Sequence, residues 1–287
     1  MENQRFGLIG HPIAHSLSPL LFNAGYAGEY IYELIEGEDF ETSWNKFLDS
    51  YDGINVTAPF KEKAWAKADI LSDECRLIGA SNLIVKTPEG TKAFNSDYLG
   101  VRKWLGEAVL SQEQVSGIPQ ERVSVAVIGC GGAGKAAAAA SALMGFRTVL
   151  VNRDMSKAQA IVENHSRFAS SCPGAAPASL EIVPISDVLD VFRSCDIILY
   201  NLPVSLPELS LLPEALSDGR GRIILEANYR NPSFDEELRE RVTTANPLVR
   251  FTDGKVWLLY QAVTGYEIFT GKAPDLEKMS ESLRNYH

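Results

Sequence analysis

The sequence predicts an α/β fold in two domains, with a doubly wound parallel sheet in the second. Three observations carry this expectation. Short β-rich runs alternate with helical patterns along most of the chain, the order that builds parallel sheets flanked by helices. The 287 residues reach the length at which a single hydrophobic core usually stops growing, so two domains are expected. The stretch VSVAVIGCGGAG, Val123 to Gly134, runs from an apolar strand through a glycine-rich turn into an alanine-rich helix.

In the N-terminal third, FGLIG (Phe6 to Gly10) is a strand, Pro19 to Ala27 a helix, and Tyr30 to Ile35 a strand. Phe40 to Leu48 has the apolar spacing of an amphipathic helix. Ile54 to Thr57 is a strand that runs into a helix at about Pro59. Asn82 to Lys86 and Thr91 to Phe94 flank Pro88-Glu89-Gly90, the pattern of a hairpin. Tyr98 to Val109 is helical, and the polar SQEQVSGIPQER that follows is the linker candidate. The second block continues with strands at TVLVN, Glu181 to Val183, Asp196 to Tyr200 and Arg222 to Leu225, with helices between. Cys172 to Ser179 is expected as a loop. A turn at Thr252-Asp253-Gly254 precedes a helix over Lys255 to Thr270, and a last helix follows Pro274.

Composition narrows the function. Hydrophobic residues make up 45% and charged residues 22%, ordinary for a globular protein. A formal net charge of −10 argues against nucleic acid or an anionic membrane as the main partner. No apolar run approaches the roughly 20 residues of a membrane span, and the N-terminal residues do not have the pattern of a signal region. Cys75, Cys130, Cys172 and Cys195 are widely spaced, which suggests neither a disulfide framework nor a metal site. A cytoplasmic protein acting on a small molecule is the expectation; monomer and homodimer both stay open.

The turn Gly129-Cys130-Gly131-Gly132-Ala133-Gly134 fits G-x-G-x-x-G between strand and helix. Glycine allows the tight turn and the close approach of backbone N–H groups to a pyrophosphate, which the helix dipole favours. Tight helix–sheet packing with nothing bound is the alternative. The following strand ends Val151-Asn152-Arg153-Asp154, making Asn152 and Arg153 cofactor candidates. Arginine there suits the 2′-phosphate of NADP. Asp154 leaves two readings open: it repels that phosphate, or it caps the next helix.

In the N-terminal block, polar side chains collect at element ends. GINVTAPFKEK places Lys61 in a first helical turn, where the positive dipole end disfavours an ammonium group. A solvated surface lysine is the plain reading, and Lys63 fits it. Ser16 and Ser18 precede or begin a helix, where Ser18 is a cap or a ligand for an anion. Asn55 and Thr57 bracket a strand end, and Ser81-Asn82 start a strand. Asn95-Ser96-Asp97 start a helix that Asp97 by itself would be read as capping. Gln261 lies among apolar neighbours within the late helix.

HPIAHSLSP, GINVTAPFK, GASNL, FNSDYLG, GCGGAGKA and the late G-x-x-x-L-x-x-Q-A occur in the order, and over nearly the whole chain, that resembles the shikimate dehydrogenase family. The resemblance implies an N-terminal α/β substrate domain (1–104, joined by C-terminal helices 255–287), a Rossmann-type NADP domain (105–254) and an active site in the interdomain cleft. It implies reversible NADPH-dependent reduction of 3-dehydroshikimate to shikimate, within chorismate and aromatic amino-acid biosynthesis. Carried over, Ser16, Ser18, Thr57 and Tyr229 hold the carboxylate region of the substrate. Lys61, Asn82, Asp97 and Gln261 hold the ring hydroxyls, with Lys61 and Asp97 as the catalytic pair. Asp73, Ala227 and Gly254 border the cofactor or cleft.

The sequence departs from the family pattern at Phe22, where histidine is usual, at Asn201-Leu202-Pro203-Val204, and at Trp257, where methionine is usual. Two further readings stand beside the first. One is a quinate/shikimate dehydrogenase that also uses NAD, which Asp154 keeps open. The other is a non-catalytic shikimate-binding sensor on the same fold, which need not keep a Lys/Asp pair. A methylene-tetrahydrofolate dehydrogenase is less suited to the serine pair and the N-S-D stretch.

Overall fold

The computed structural model describes residues 4–116, 122–171 and 179–286. Within it the chain divides into two compact units, Met1–Gly100 with Leu258–His287, and Val101–Trp257.

The first unit opens with β1 (Arg5–Gly10), α1 (Ser18–Tyr26), β2 (Ile31–Glu36), α2 (Phe40–Ser50) and β3 (Gly53–Val56). It continues with α3 (Lys61–Lys67), β4 (Ile70–Leu71), α4 (Asp73–Ile78), β5 (Leu83–Thr87) and β6 (Gly90–Phe94). The strands form one mixed sheet in the order β2-β1-β3-β5-β6-β4. β1 lies parallel to β2 and β3, whereas β5 runs antiparallel to β3 and β6. The hairpin turn closes because Thr87 Oγ1 donates to the Gly90 carbonyl at 2.8 Å, with Gly90 at φ +126°. One face of the sheet is covered by α2, whose Phe40, Trp44 and Phe47 pack with Ile9, Ile54 and Phe60. An aromatic cluster with Phe6, Phe22, Tyr32 and Tyr266 fills a second core of this unit.

α5 (Ser96–Ser116) continues from the first unit into the second. The second unit then alternates β7 (Ser124–Ile128), α6 (Gly132–Leu143), β8 (Arg147–Asn152), α7 (Met155–Ser171), β9 (Leu180–Pro184), α8 (Val188–Ser194) and β10 (Ile197–Tyr200). It ends with α9 (Leu212–Ala215), β11 (Arg222–Glu226), α10 (Glu236–Ala245) and β12 (Val249–Asp253). The sheet order is β12-β11-β10-β7-β8-β9, and every pairing is parallel. This is the doubly wound 3-2-1-4-5-6 order, whose strand order reverses between β7 and β10. Every residue of β7, β10 and β11 is buried, as a sheet covered by helices on both faces requires. Even Arg222, fully buried at the start of β11, is admitted because both of its terminal nitrogens bond to Asp218 at 2.7 Å. α11 (Gly254–Thr270) returns the chain to the first unit, where α12 (Leu276–Arg284) follows.

The expected elements within the described residues are present, with two corrections. Ser111 to Ser116 continue α5 rather than beginning a linker, since Gln112, Glu113 and Gln114 are good helix formers; residues 117–121 lie outside the described residues. Thr252 and Asp253 are not a turn but pair with Leu225 and Glu226 as the end of β12. Asp253 also caps the helix that follows directly, accepting from Lys255 N at 2.7 Å. Short β4 and α4 carry too few residues to show a period. The expected loop at 172–178, with Cys172, lies outside the described residues. Among those residues Cys75, Cys130 and Cys195 are buried free thiols. No described helix is long and apolar enough to cross a membrane, and no described cluster of His, Cys, Asp and Glu could hold a metal ion.

Candidate active site

In the first unit, Nζ of Lys61 bonds to Oδ2 of Asp97 at 2.5 Å. The side chains are 28% and 14% exposed, so the pair is sheltered yet reachable by a ligand. Each partner is held by a separate device. Lys61 is the first residue of α3, and its carbonyl accepts from Ser81 N at 3.0 Å. The capping role at α5 belongs to Asn95, whose Oδ1 accepts from Tyr98 N at 3.0 Å, while Asp97 carries the bond to Lys61. Asn95 Nδ2 donates in turn to the Ala80 carbonyl at 3.1 Å. A buried amide thus satisfies the helix start, and the carboxylate two residues on pairs with an ammonium group. Lys63 is exposed, as expected of a surface lysine.

The other predicted side chains of this unit are positioned by the same framework. Asn82 Oδ1 accepts from Ser96 N at 2.6 Å, which sets its amide beside the start of α5. Gln261 lies on α11, where it meets Gly100: a Cβ there would come within 2.5 Å of the Gln261 backbone nitrogen. Only glycine lets these helices approach so closely. Thr57 follows β3, half-buried, with its methyl packed against Gly10. Ser18 is not a cap. The cap position of α1 is Leu17, without a side-chain bond, and Ser18 is inside the helix. Ser16 Oγ accepts from Ser18 N and donates to Ser18 Oγ, each at 3.2 Å. Asp73 stands exposed on α4 and pairs with Arg76 at 3.3 Å.

Two tyrosines of this unit, Tyr32 and Tyr266, were not singled out by the sequence, whereas Asn55 was marked as a polar group at a strand end. Tyr32 donates to Asn55 Oδ1 at 2.7 Å, Asn55 Nδ2 donates to the Asn82 carbonyl at 3.3 Å, and Tyr266 donates to the Ser18 carbonyl at 3.0 Å. Burial pushes both phenols above the usual tyrosine range. No local signal marks the two tyrosines, because their partners lie 23 and 248 positions away.

In the second unit, the turn Gly129 to Gly134 lies at the C-terminal end of β7, beside the strand-order switch where open α/β sheets bind ligands. Gly129 has φ +96°, and a Cβ on Gly134 would fall 1.8 Å from the Gly129 carbonyl oxygen. At Gly131 and Gly132 a Cβ would meet nothing within 4 Å. The closed positions shape the turn and the open ones leave room for an anion at the start of α6. That helix has no acidic residue in its first turn and no side-chain cap. Cys130 is buried, with its thiol pushed up to about 11 by desolvation, which makes it a packing residue. Ala133, in the first turn of α6, is half-buried. Asn152 ties the turn to β8: its Oδ1 accepts from Cys130 N at 3.2 Å, and its Nδ2 donates to the Asp154 carbonyl at 2.8 Å.

Asp154 caps α7. Its Oδ1 accepts from Ser156 N at 3.1 Å and Ser156 Oγ at 2.6 Å, bonds that hold its carboxyl below the ordinary aspartate range. Arg153 beside it is exposed. These residues fit a dinucleotide with a 2′-phosphate. Ala227 and Gly254 are neighbours, since a Cβ on Gly254 would come within 2.5 Å of the Ala227 carbonyl oxygen. Tyr229 is half-buried on the loop after β11. The buried Glu226 carboxylate pins that loop by accepting from the backbone N–H groups of Ser233 and Phe234.

Residues 8–84 match the family described as shikimate dehydrogenase substrate binding domain. A shikimate dehydrogenase (NADP(+)) from Natronomonas pharaonis is 32% identical over 292 residues, covering 98% of each chain. The chain belongs to the shikimate dehydrogenase family. A shikimate 5-dehydrogenase from Thermus thermophilus, solved in complex with NADP(H) and shikimate, matches with a TM-score of 0.73 at 26% identity and covers 98% of each chain. A quinate dehydrogenase from Corynebacterium glutamicum, in complex with NAD, reaches a TM-score of 0.81 and covers 98% of this chain and 99% of its own. At 23% identity that likeness shows the fold.

The departures from the shikimate dehydrogenase pattern have visible physical roles. Phe22 is fully buried, with ring centroids 4.7 Å from Tyr32 and 4.9 Å from Tyr266. An imidazole there would be surrounded by rings. Leu202 packs against the glycine turn, 3.0 Å from where a Gly129 Cβ would sit. Trp257 is buried on α11.

Proposed function

We propose that the protein is an NADP-dependent shikimate dehydrogenase, catalysing the reversible reduction of 3-dehydroshikimate to shikimate in aromatic amino-acid biosynthesis. The observation that carries this reading is the Lys61–Asp97 pair at 2.5 Å, in a chain of the shikimate dehydrogenase family. When bound, NADPH supplies the hydride. The backbone N–H groups of Gly131, Gly132 and Ala133 would hold its pyrophosphate, and Arg153 would pair with the 2′-phosphate.

Lys61 donates a proton to the ketone oxygen as that oxygen gains charge, and takes it back in the oxidative direction. Asp97 keeps the amine aimed and balances its charge. Asn82 and Gln261 hold the ring hydroxyls with Lys61 and Asp97. The hydroxyls of Ser16, Ser18 and Thr57 donate to the substrate carboxylate. Residues 1–104 with 255–287 act as the substrate domain and 105–254 as the cofactor domain, and the enzyme works in the cytoplasm.

The test compares four rates: shikimate and quinate, each with NADP and with NAD. The reading requires shikimate with NADP to lead clearly. Equal or faster turnover of quinate with NAD overturns it in favour of a quinate/shikimate dehydrogenase, and no turnover of any pair in favour of a sensor.

A further inference from the structure

The serine pair at the start of α1 is held locally by one backbone bond, from Ser16 N to the Ile13 carbonyl at 2.9 Å. The cap position, Leu17, contributes no side-chain bond, and the serine hydroxyls bond mainly to each other. A second anchor comes from a remote helix. Tyr266 on α11 is 3% exposed, and its phenol donates to the Ser18 carbonyl at 3.0 Å. A carbonyl oxygen has two lone pairs, so it can take this bond in addition to one within the helix. The ring is fixed by Phe22 at 4.9 Å and Phe269 at 6.3 Å between centroids. A phenol this deeply buried costs free energy unless it bonds, so its direction is defined. The ring of Tyr32 lies beside that of Tyr266, with centroids 5.9 Å apart. Tyr32 is itself tied to Asn55 at 2.7 Å.

We propose that Tyr266 is a positioning residue for the substrate carboxylate: its hydroxyl fixes the first turn of α1 so that Ser16 and Ser18 are preorganised to donate to that anion. The proposal rests on the shikimate dehydrogenase reading. Tyr266 does not touch the reacting atoms, so its loss weakens binding rather than chemistry. Preorganised donors bind more tightly because less freedom is lost on binding.

The test is Tyr266→Phe, which keeps the ring and its packing and removes one hydroxyl. KM for shikimate is expected to rise about fivefold, the scale of one net hydrogen bond. The value of kcat is expected to stay within about twofold, with KM for NADP unchanged. A double-mutant cycle with Ser18→Ala gives the mechanism: if Tyr266 acts through Ser18, the two losses are less than additive. An unchanged shikimate KM in Tyr266→Phe, a fall in kcat alone, or full additivity overturns the proposal. Those outcomes presuppose wild-type turnover of shikimate; its absence overturns the parent reading and this proposal with it.

Discussion

Lys61 and Asp97 stand 36 positions apart in sequence and 2.5 Å apart in space. Asn95 caps α5, while the Asp97 carboxylate pairs with the lysine. Replacing Lys61 with methionine keeps the length of the stem and removes the proton carrier. We expect kcat with shikimate and NADP to fall about a thousandfold, within the range of general acid–base catalysis. Near-normal turnover of Lys61→Met in steady-state assays would sink the assignment.

The Asp154 carboxylate is committed to Ser156, which leaves Arg153 as the charged group beside the β8 end that suits a 2′-phosphate. Arg153→Ala is expected to raise KM for NADP about tenfold or more and to leave KM for NAD nearly unchanged. Equal effects on both cofactors would show that Arg153 does not read the phosphate.

Gly134 tolerates no side chain, because a Cβ would overlap the Gly129 carbonyl oxygen at 1.8 Å. Gly134→Ala must push α6 away from the turn, and overpacking of this kind costs about 1–3 kcal/mol. We expect a lower denaturant midpoint together with weaker NADP binding, measured by calorimetry. Gly132→Ala, where the added Cβ meets nothing within 4 Å of the protein itself, is expected to keep its stability and lose only cofactor affinity. Stability loss at Gly132 equal to that at Gly134 would contradict this division of roles.

His165 on α7 is 7% exposed, its Nε2 lacks a hydrogen-bond partner, and burial lowers its pKa from 6.5 to about 4. The fold therefore holds the neutral ring. Its contribution is complete above about pH 6.5, where the unfolded chain is also neutral. It is lost as pH falls from 6.5 towards 4, because only the unfolded chain then takes up the proton; the full effect is on the order of 3 kcal/mol. Urea midpoints measured between pH 7 and 4.5 should drop more steeply for the wild type than for His165→Leu. Parallel curves would refute the account.

Much of the molecule was legible in the sequence because its signals are local. The apolar stretches at the centres of β7, β10 and β11 mark a sheet covered on both faces, and the G-x-G-x-x-G turn fixed its own place between strand and helix. The ordered stretches from HPIAHSLSP to the late Gln-Ala pointed to the family. The sequence also singled out Lys61, Asp97, the serine pair and Arg153 as candidates. What it left open were choices between two uses of one side chain. Asp154 capped a helix or met a phosphate, Asp97 capped or paired, and Ser18 capped or bound.

Only the tertiary structure made those choices. A short polar side chain satisfies whichever donor or acceptor is nearest, and that distance is set by packing. Asn95 and Leu17 occupy the cap positions of α5 and α1, so Asp97 pairs with Lys61 and Ser18 lies within its helix, whereas Asp154 is consumed by its cap. The bond from Tyr266 to Ser18 spans 248 positions. No periodicity or propensity encodes it, because it exists only once α1 and α11 bury their aromatic faces together.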